Sequence, residues 1–315
     1  MARLVFMGTP AFAVPLLDAL TRTEHAIVGV YTRPDQPAGR GKQLQPSPIK
    51  QLALARGLPI FQPTTLRAPE VIAQLRALTP DLIIVAAYGL ILPREVLTIP
   101  PRGCVNAHAS LLPRHRGAAP IAAAILAGDV QTGVTLMQMD EGLDTGPILV
   151  QRAIPIADDD TTGTLTTKLA HLAADVTIET LPRLLAGEIV PQAQDHAHAA
   201  MCTPIKKEEG LIDWTRSADE IARRVRAFNP WPSAFTFWNG TMLKILRAHV
   251  ALQQVNTEAG RVLQPGKEIA VACGDGALIL REVQLTGKRA MTIEEFVRGQ
   301  RGFVGSTVSQ TQGKR

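Results

Sequence analysis

Short, continuous apolar runs alternate with helical stretches through the first two hundred residues of this chain. Four runs read as buried strands, at residues 4–7, 27–31, 82–87 and 105–108. Helical patterns fall between them, at residues 48–56, 69–78 and 93–97. Strands that are apolar along their whole length are typical of a parallel sheet covered on both faces. We therefore predict an α/β fold with a mostly parallel, Rossmann-like sheet.

The bulk composition fits two domains. The chain has 315 residues, 46% of them apolar, which is enough for two separate cores. No apolar stretch approaches the length of about 18 residues that a membrane-spanning helix needs, and the N-terminus lacks a signal-peptide pattern. The three cysteines are odd in number and far apart, which excludes a disulfide framework. These features predict a soluble cytoplasmic protein.

The second part of the chain has its own pattern. The periodicity weakens at residues 191–206, which we interpret as a linker between a domain at 1–190 and another at 207–315. Short strands follow, with tight turns at Asn239-Gly240 and Gly274-Asp275-Gly276, and predict a small OB-like barrel. Ser217 and Glu220 form a capping-box pattern that begins a helix. His196 and His198 lack a third metal ligand, so we expect no metal there.

Charge is unevenly distributed between the two parts. Residues 205–315 carry 17 Lys and Arg against 11 Asp and Glu, whereas residues 1–204 carry 16 against 17. A basic second part suggests that it binds a polyanion. A basic surface that only keeps the protein soluble explains the charge equally well.

A long loop at residues 33–48 carries four prolines and three basic residues, Arg33, Arg40 and Lys42. Loops longer than about a dozen residues inside a compact domain tend to be functional or disordered. The prolines restrict this loop, which favours a basic lid on an anionic substrate over a mobile surface excursion.

Residues 104–146 contain the best candidates for chemistry. Asn106 and His108 lie two apart at the end of a predicted strand and so share one face. Asp144 follows in a loop between Gly142 and Gly146. An amide, an imidazole and a carboxylate suit acyl or carbonyl chemistry. Taken singly, His108 reads as a structural histidine and Asp144 as an Asx-turn residue.

The same residues lie in motifs that resemble those of a known family. The motifs are Asn106-Ala107-His108, Ser110-Leu111-Leu112-Pro113, Arg116-Gly117-Ala118-Ala119-Pro120-Ile121 and Gly142-Leu143-Asp144-Thr145-Gly146. Together they resemble the 10-formyltetrahydrofolate-dependent formyltransferases, in particular the branch that acts on methionyl initiator tRNA. Further segments, such as Ala87-Tyr88-Gly89 and Asn229-Pro230-Trp231-Pro232, extend the resemblance to the end of the chain. His115 stands where the family usually has Tyr or Trp, which we expect to alter loop packing and not chemistry.

The resemblance implies roles for named residues. It makes Asn106, His108 and Asp144 the catalytic residues. It implies a folate-contacting set of Ser110, Leu111, Leu112, Pro113, Tyr88, Gly89, Ile91 and Met139. It implies a tRNA-contacting set of Arg33, Arg40, Lys42, Lys206 and Lys207. The formyl donor is then 10-formyltetrahydrofolate, with no metal.

The implied activity is transfer of that formyl group to the α-amino group of methionyl initiator tRNA by a monomer without an obligatory protein partner. One alternative is a formyltransferase or formyl-folate hydrolase that acts on a small-molecule amine, which would have no use for a basic barrel. Another is a tRNA-binding protein without catalysis, which would not need the Asn106, His108 and Asp144 set.

Overall fold

The computed structural model describes residues 1–38, 43–251 and 257–311, and the chain divides into two compact units. The first unit comprises Met1–Pro120, Gln131–Pro155 and Thr166–Cys202. The second comprises Ile121–Val130, Ile156–Leu165 and Thr203–Arg315. The first unit continues past residue 190 because Gln192 exchanges two backbone hydrogen bonds with Ile148, of 2.7 and 2.8 Å. A catalytic domain at 1–190, a linker at 191–206 and a tRNA-binding domain at 207–315 stay a prediction.

The first unit is built around eleven strands of the described chain. They are β1 (Arg3–Gly8), β2 (Ala26–Tyr31), β3 (Gln36–Ala38), β4 (Gln43–Gln45), β5 (Ile60–Phe61), β6 (Leu82–Ala86), β7 (Cys104–His108), β8 (Arg116–Gly117), β9 (Gln131–Gln138), β10 (Ile148–Pro155) and β11 (Met201–Cys202). The helices up to residue 202 are α1 (Val14–Leu20), α2 (Pro48–Ala55), α3 (Pro69–Ala77), α4 (Arg94–Leu97), α5 (Pro120–Ala127) and α6 (Thr162–Ala186).

Seven of these strands form one sheet in the order β10-β9-β7-β6-β1-β2-β5. The neighbours from β5 to β7 are parallel, whereas β9 is antiparallel to β7 and β10 to β9. All five residues of β6 are buried, as expected of an inner parallel strand with both faces covered. The predicted mostly parallel, Rossmann-like sheet is confirmed.

Strand β7 lies where the sheet changes from parallel to antiparallel pairing. Asn106 is aligned with Val85 of β6 on one side and with Met137 of β9 on the other. His108, the last residue of β7, lies opposite Thr135. Ligands of open α/β sheets bind beyond the carboxyl ends of the strands, so the sheet places both side chains at the expected end.

Several short elements had no clear signal in the sequence. Helix α5 reads Pro-Ile-Ala-Ala-Ala-Ile-Leu-Ala and has no polar face that would reveal its period. Strands β3 and β4 form a small hairpin within the basic loop. Strands β8 and β11 pair over only two residues each, from distant parts of the chain. Such brief pairings depend on tertiary contacts and carry no periodic pattern.

The second unit is a β structure with two further helices. Its strands are β12 (Ala234–Trp238), β13 (Thr241–Val250), β14 (Val262–Leu263), β15 (Ala270–Ala272), β16 (Ala277–Leu285) and β17 (Met291–Thr292). Its helices are α7 (Ala218–Ala227) and α8 (Ile293–Gly299). The strands pair antiparallel in the order β12-β13-β16-β15-β14, and β17 joins β16.

Residues 306–309 join the two edges of this antiparallel sheet. Ser309 exchanges two backbone hydrogen bonds of 2.9 Å with Phe237 of β12, and Val262 of β14 donates to the carbonyl of Ser306 at 2.9 Å. Paired edges of this kind close a sheet into a barrel. The predicted OB-like barrel stays a prediction.

The core of the second unit contains an aromatic cluster. Trp238, Phe296 and Phe303 pack edge to face, with ring centroids 5.0 to 5.8 Å apart, an arrangement that aromatic rings prefer.

Among the helices of the described chain, none combines the length and the apolar character needed to cross a bilayer.

Candidate active site

Asn106 and His108 leave the same face of β7, as predicted. His108 is only 6% exposed, whereas Asn106 is partly buried. Cys104, two residues earlier on that face, is fully buried, and burial raises the pKa of its thiol to about 12. A neutral, inaccessible thiol is not a nucleophile, so the reactive groups at the end of β7 are the amide and the imidazole.

The carboxylate of Asp144 reaches these two side chains from the loop between β9 and β10. Its Oδ1 lies 3.4 Å from Asn106 Nδ2, and its Oδ2 lies 3.6 Å from His108 Nδ1. Oδ2 also accepts a 2.9 Å hydrogen bond from the backbone N–H of Gly117. The structure therefore brings the three predicted catalytic side chains together, and their roles stay a prediction.

The imidazole of His108 faces an acceptor at each ring nitrogen. Nδ1 faces the Asp144 carboxylate, and Nε2 lies 3.0 Å from the backbone carbonyl oxygen of His115. A neutral ring has one N–H and the imidazolium has two, so only the imidazolium can donate to both acceptors. The contacts with Asp144 are longer than a short hydrogen bond, which leaves donor capacity for a substrate.

His115, the residue that departs from the family pattern, contacts His108 through its backbone. Its side chain is 7% exposed and its φ is +57°, in the left-handed region. A backbone contact does not depend on the identity of the side chain, so this geometry agrees with the expectation that the substitution leaves the chemistry intact.

The segment 110–113, which begins two residues after His108, is held firmly against β9. Thr135 Oγ1 donates to the carbonyl of Ser110 at 2.7 Å and accepts from the N–H of Leu112 at 3.1 Å. Gln151 Nε2 donates to the carbonyl of Leu112 at 2.6 Å. Ser110 and Leu112 are buried, whereas Leu111 and Pro113 are partly exposed. Side-chain contacts with a ligand would therefore come from Leu111 and Pro113.

The other predicted folate contacts differ in exposure. Tyr88 is 1% exposed, and burial raises the pKa of its phenol to about 12, so the ring is a neutral part of the core. Gly89 is exposed with a φ of +83°, and Met139 is partly buried. Ile91 is 73% exposed, so its side chain is accessible to a ligand.

An open groove of about 1050 Å³ runs beside Ile91, lined among others by Arg67, Arg76, Arg94 and Glu141. Its volume is at the upper end of small-molecule sites. Asn106, His108 and Asp144 do not line it, so the groove is not itself the place of the chemistry. Ile91 is the one predicted folate residue on its wall.

Three of the five predicted tRNA contacts lie in the described chain. Arg33 is partly buried at the base of the basic loop, in the first unit. Lys206 and Lys207 are exposed and belong to the second unit. Arg40 and Lys42 lie outside the described residues.

Asp35 fixes the base of the basic loop. Its carboxylate accepts from Lys50 Nζ at 2.7 Å and from Gln62 Nε2 at 2.8 Å. The hydrogen bond from Lys50, and to a smaller extent that from Gln62, holds the pKa of Asp35 below its usual value. The start of the loop therefore has a defined position on the first unit.

Sequence reasoning missed Arg116 and Gln194. Arg116 belongs to a recognised motif but had no assigned role, and Gln194 lies in the predicted linker. Both are buried, and Gln194 bonds to the loop that carries Asp144. No pattern in the sequence could have shown this, because the two residues are 78 positions apart.

No group of three or more His, Cys, Asp and Glu is arranged to hold a metal ion within the described ranges. His198 pairs with Asp195 at 2.7 Å, and both side chains are exposed.

A mostly parallel sheet with an amide, an imidazole and a carboxylate at one strand end is the arrangement expected of an α/β enzyme, and comparison with known proteins identifies its family. The formyl transferase model matches residues 2–181, and the model of the formyl transferase C-terminal domain matches residues 204–301. The chain belongs to the formyl transferase family.

Within this family the most informative relatives share one name. The chain is 52% identical to the methionyl-tRNA formyltransferase of Methylococcus capsulatus over 94% of its own length and 96% of that protein. It is 50% identical to that of Pseudomonas syringae pv. tomato, over 95% of each chain. In fold it resembles WlaRD, a sugar 3N-formyl transferase, with a TM-score of 0.66 at 18% identity over 92% of this chain and 99% of that one.

Proposed function

We propose that this protein transfers the formyl group of 10-formyltetrahydrofolate to the α-amino group of methionyl initiator tRNA, for translation initiation. The observation that carries the proposal is the convergence of Asn106, His108 and Asp144 at the end of β7. Membership of the formyl transferase family and the high identity to methionyl-tRNA formyltransferases support it.

The proposed chemistry begins with the neutral α-amino nitrogen of the methionyl group. This nitrogen attacks the formyl carbon on N10 of the folate, a C–N bond forms, and the formyl oxygen becomes the oxyanion of a tetrahedral intermediate. The Asn106 amide and the His108 imidazolium donate to the oxyanion. One such donor is typically worth about 10²–10³ in rate.

Asp144 assists the second half of the reaction. Its carboxylate, 3.6 Å from His108 Nδ1, stabilises positive charge on the ring. We also assign to it the relay of the proton that leaves the attacking nitrogen to N10 of the folate. The bond between the formyl carbon and N10 then breaks, and the products are formyl-methionyl-tRNA and tetrahydrofolate.

The folate is proposed to contact the first unit near the same strand end. Leu111 and Pro113 offer partly exposed apolar surface, and Ile91 and the 56% exposed Leu143 offer more. Apolar walls with a few polar groups suit a flat aromatic ligand. Ser110, Leu112 and Tyr88 are buried, so we propose that they act through their backbone or by supporting the wall.

The tRNA is proposed to contact Arg33, Arg40 and Lys42 of the basic loop and Lys206 and Lys207 of the second unit. The positive charge of residues 205–315 supports binding through phosphates. We further propose that the enzyme works as a monomer in the cytoplasm.

A small-molecule amine is the less favoured acceptor. The similarity to a sugar 3N-formyl transferase is at 18% identity and concerns the fold alone. The methionyl-tRNA formyltransferases match over nearly the whole chain at about half identity, including the basic second part.

The test is a formyl-transfer assay with 10-formyltetrahydrofolate and three acceptors: methionyl initiator tRNA, free methionine and uncharged initiator tRNA. We expect formylated product from methionyl-tRNA only. Transfer to free methionine at a comparable rate would indicate a small-molecule enzyme, and absence of transfer to all three would leave a binding protein.

A further inference from the structure

The side chain of Gln194 ties the loop that carries Asp144 to the rest of the first unit. Its Nε2 donates to the carbonyl of Asp144 at 2.9 Å and to the carbonyl of Gly146 at 2.7 Å. It is 5% exposed, and the neighbouring Gln192 is fixed by its backbone pairing with Ile148. Both amide protons of Gln194 are thus committed to the loop.

The amide oxygen of Gln194 is fixed as well. It accepts from Arg116 Nε at 3.0 Å and from Arg116 Nη2 at 2.7 Å. Arg116 is 4% exposed, and its Nη1 lies 3.2 Å from Nδ1 of His196. Within the described part of the chain, no carboxylate forms an ion pair with this guanidinium. A buried cation with neutral partners is costly, which suggests that its task is to orient Gln194.

The loop needs such support because its conformation is unusual. Asp144 has a φ of +54°, a region that residues other than glycine adopt rarely. Within the loop, Asp140 Oδ1 accepts from the N–H of Gly142 and from Thr145 Oγ1, but these bonds do not fix the loop against β7. The bonds from Gln194 hold the loop from outside, at the carbonyls of Asp144 and Gly146.

We propose that Gln194 is a positioning residue that acts through Asp144, with Arg116 holding it in place. This role of Gln194 rests on the proposed function in one respect, namely that Asp144 takes part in formyl transfer. Without the two amide donors, the carboxylate of Asp144 drifts from Asn106 and His108, whereas the substrate-binding surfaces stay as they are.

The informative variant is Gln194→Glu. Glutamate has the same shape and still accepts from Arg116, which gains a charged partner, but its carboxylate cannot donate to the two carbonyls of the loop. We expect the variant to fold because the contact with Arg116 is kept, and to lose some thermal stability because a carboxylate oxygen now faces two carbonyl oxygens. We expect kcat to fall about 10-fold to 100-fold, as for other small misplacements of a reacting group, with KM for folate and for methionyl-tRNA unchanged.

The matched control is Gln192→Glu, the same chemical change two residues away on an exposed side chain. It should leave kcat unchanged. If Gln194→Glu does not fold, Gln194→Met, which is neutral and of similar length, takes its place in every measurement. A folded variant at position 194 with unchanged kcat overturns the proposal.

Two further readouts separate positioning from other roles. In an Asp144→Asn background, Gln194→Glu should cost no further activity, because the group that it positions is already lost. An equal loss in that background would contradict the proposal. By NMR, the His108 ring resonances should move with Gln194→Glu and not with Gln192→Glu. This last measurement needs no turnover, so it tests the positioning role even if formyl transfer to tRNA is not observed.

Discussion

At the scale of single residues, the site depends on His108 having one acceptor on each side. The carbonyl of His115 fixes Nε2 and the carboxylate of Asp144 faces Nδ1. These two contacts hold the ring in one orientation. In the proposed mechanism, the same ring donates to the oxyanion and lies beside Asp144, which relays the proton.

Replacing His108 by alanine should lower kcat for formyl transfer by about 10²–10³ or more, because an oxyanion donor and a proton-transfer partner are lost together. The measurement is steady-state transfer to methionyl-tRNA, with circular dichroism to establish that the fold is intact. His171→Ala, on an exposed position of α6, is the control. A folded His108→Ala variant with a near-normal rate would show that His108 takes no part in formyl transfer.

At the scale of secondary-structure elements, local sequence signals were reliable where an element begins with its own cap. Helix α7 starts as predicted at Ser217, whose side chain accepts from the N–H of Glu220 at 3.3 Å. The helix packs a buried face of Ile221 and Val225 into the core of the second unit. Its start is thus specified by one hydrogen bond and its position by apolar packing.

The variant Ser217→Ala should lower the free energy of unfolding by about 1 kcal/mol, the usual cost of losing an N-cap. Urea unfolding followed by tryptophan fluorescence suits the measurement, because Trp214 and Trp238 are buried in this unit. Ser217→Asp retains an acceptor and should restore most of the stability. If the alanine variant is as stable as the unchanged protein, the N-cap of α7 does not contribute to the free energy of unfolding.

At the scale of the whole molecule, charge separates the two parts of the chain. Residues 205–315 carry an excess of six positive charges, whereas residues 1–204 are close to neutral. Binding through phosphates releases counterions and therefore weakens with salt. The folate, a small ligand, does not depend on counterion release in the same way.

We therefore expect KM for methionyl-tRNA to rise about tenfold or more between about 50 and 200 mM salt, with little change in KM for 10-formyltetrahydrofolate. Both can be measured in one series of steady-state assays. The variant Lys206→Ala/Lys207→Ala should show a shallower salt dependence. If the KM for methionyl-tRNA does not change with salt concentration, the basic residues of the second part do not contact the tRNA.

Alkaline pH should destabilise the whole chain, because buried acids remain protonated in the fold. Burial raises the pKa of Cys104 and of Cys273 from 9.0 to about 12, and that of Tyr88 from 10.0 to about 12. As pH rises above 9.0 for the two thiols and above 10.0 for the phenol, the unfolded chain loses these protons and the native chain keeps them. Unfolding then releases protons, so the stability present at lower pH is lost as pH rises towards 12.

For each such group, the free energy of unfolding should fall by about 1.4 kcal/mol per pH unit once the unfolded form is ionised. Urea titrations between about pH 8 and pH 11 measure the slope. Cys104→Ala should remove one group's contribution to this pH dependence of the free energy of unfolding. A slope identical to that of the unchanged protein would contradict the contribution of Cys104.

The sequence by itself determined the sheet and the face of β7. Continuous apolar runs specify inner strands, since both faces of a parallel sheet are covered, and the period of two places Asn106 and His108 on one side. The motifs around them identify the family. These patterns lie within short stretches of the chain, so they can be read from the sequence without the folded structure.

Only the tertiary structure decided how the site is held together. Asp144 lies 36 residues after His108, and Gln194 a further 50. Their approach depends on the antiparallel pairing of β9 and β10 and on the short bridge between Ile148 and Gln192. A segment that reads as a weakly patterned linker thus contributes a buried side chain that holds the loop of Asp144. Hydrogen bonds between distant segments have no periodicity, and so the sequence pattern could not reveal them.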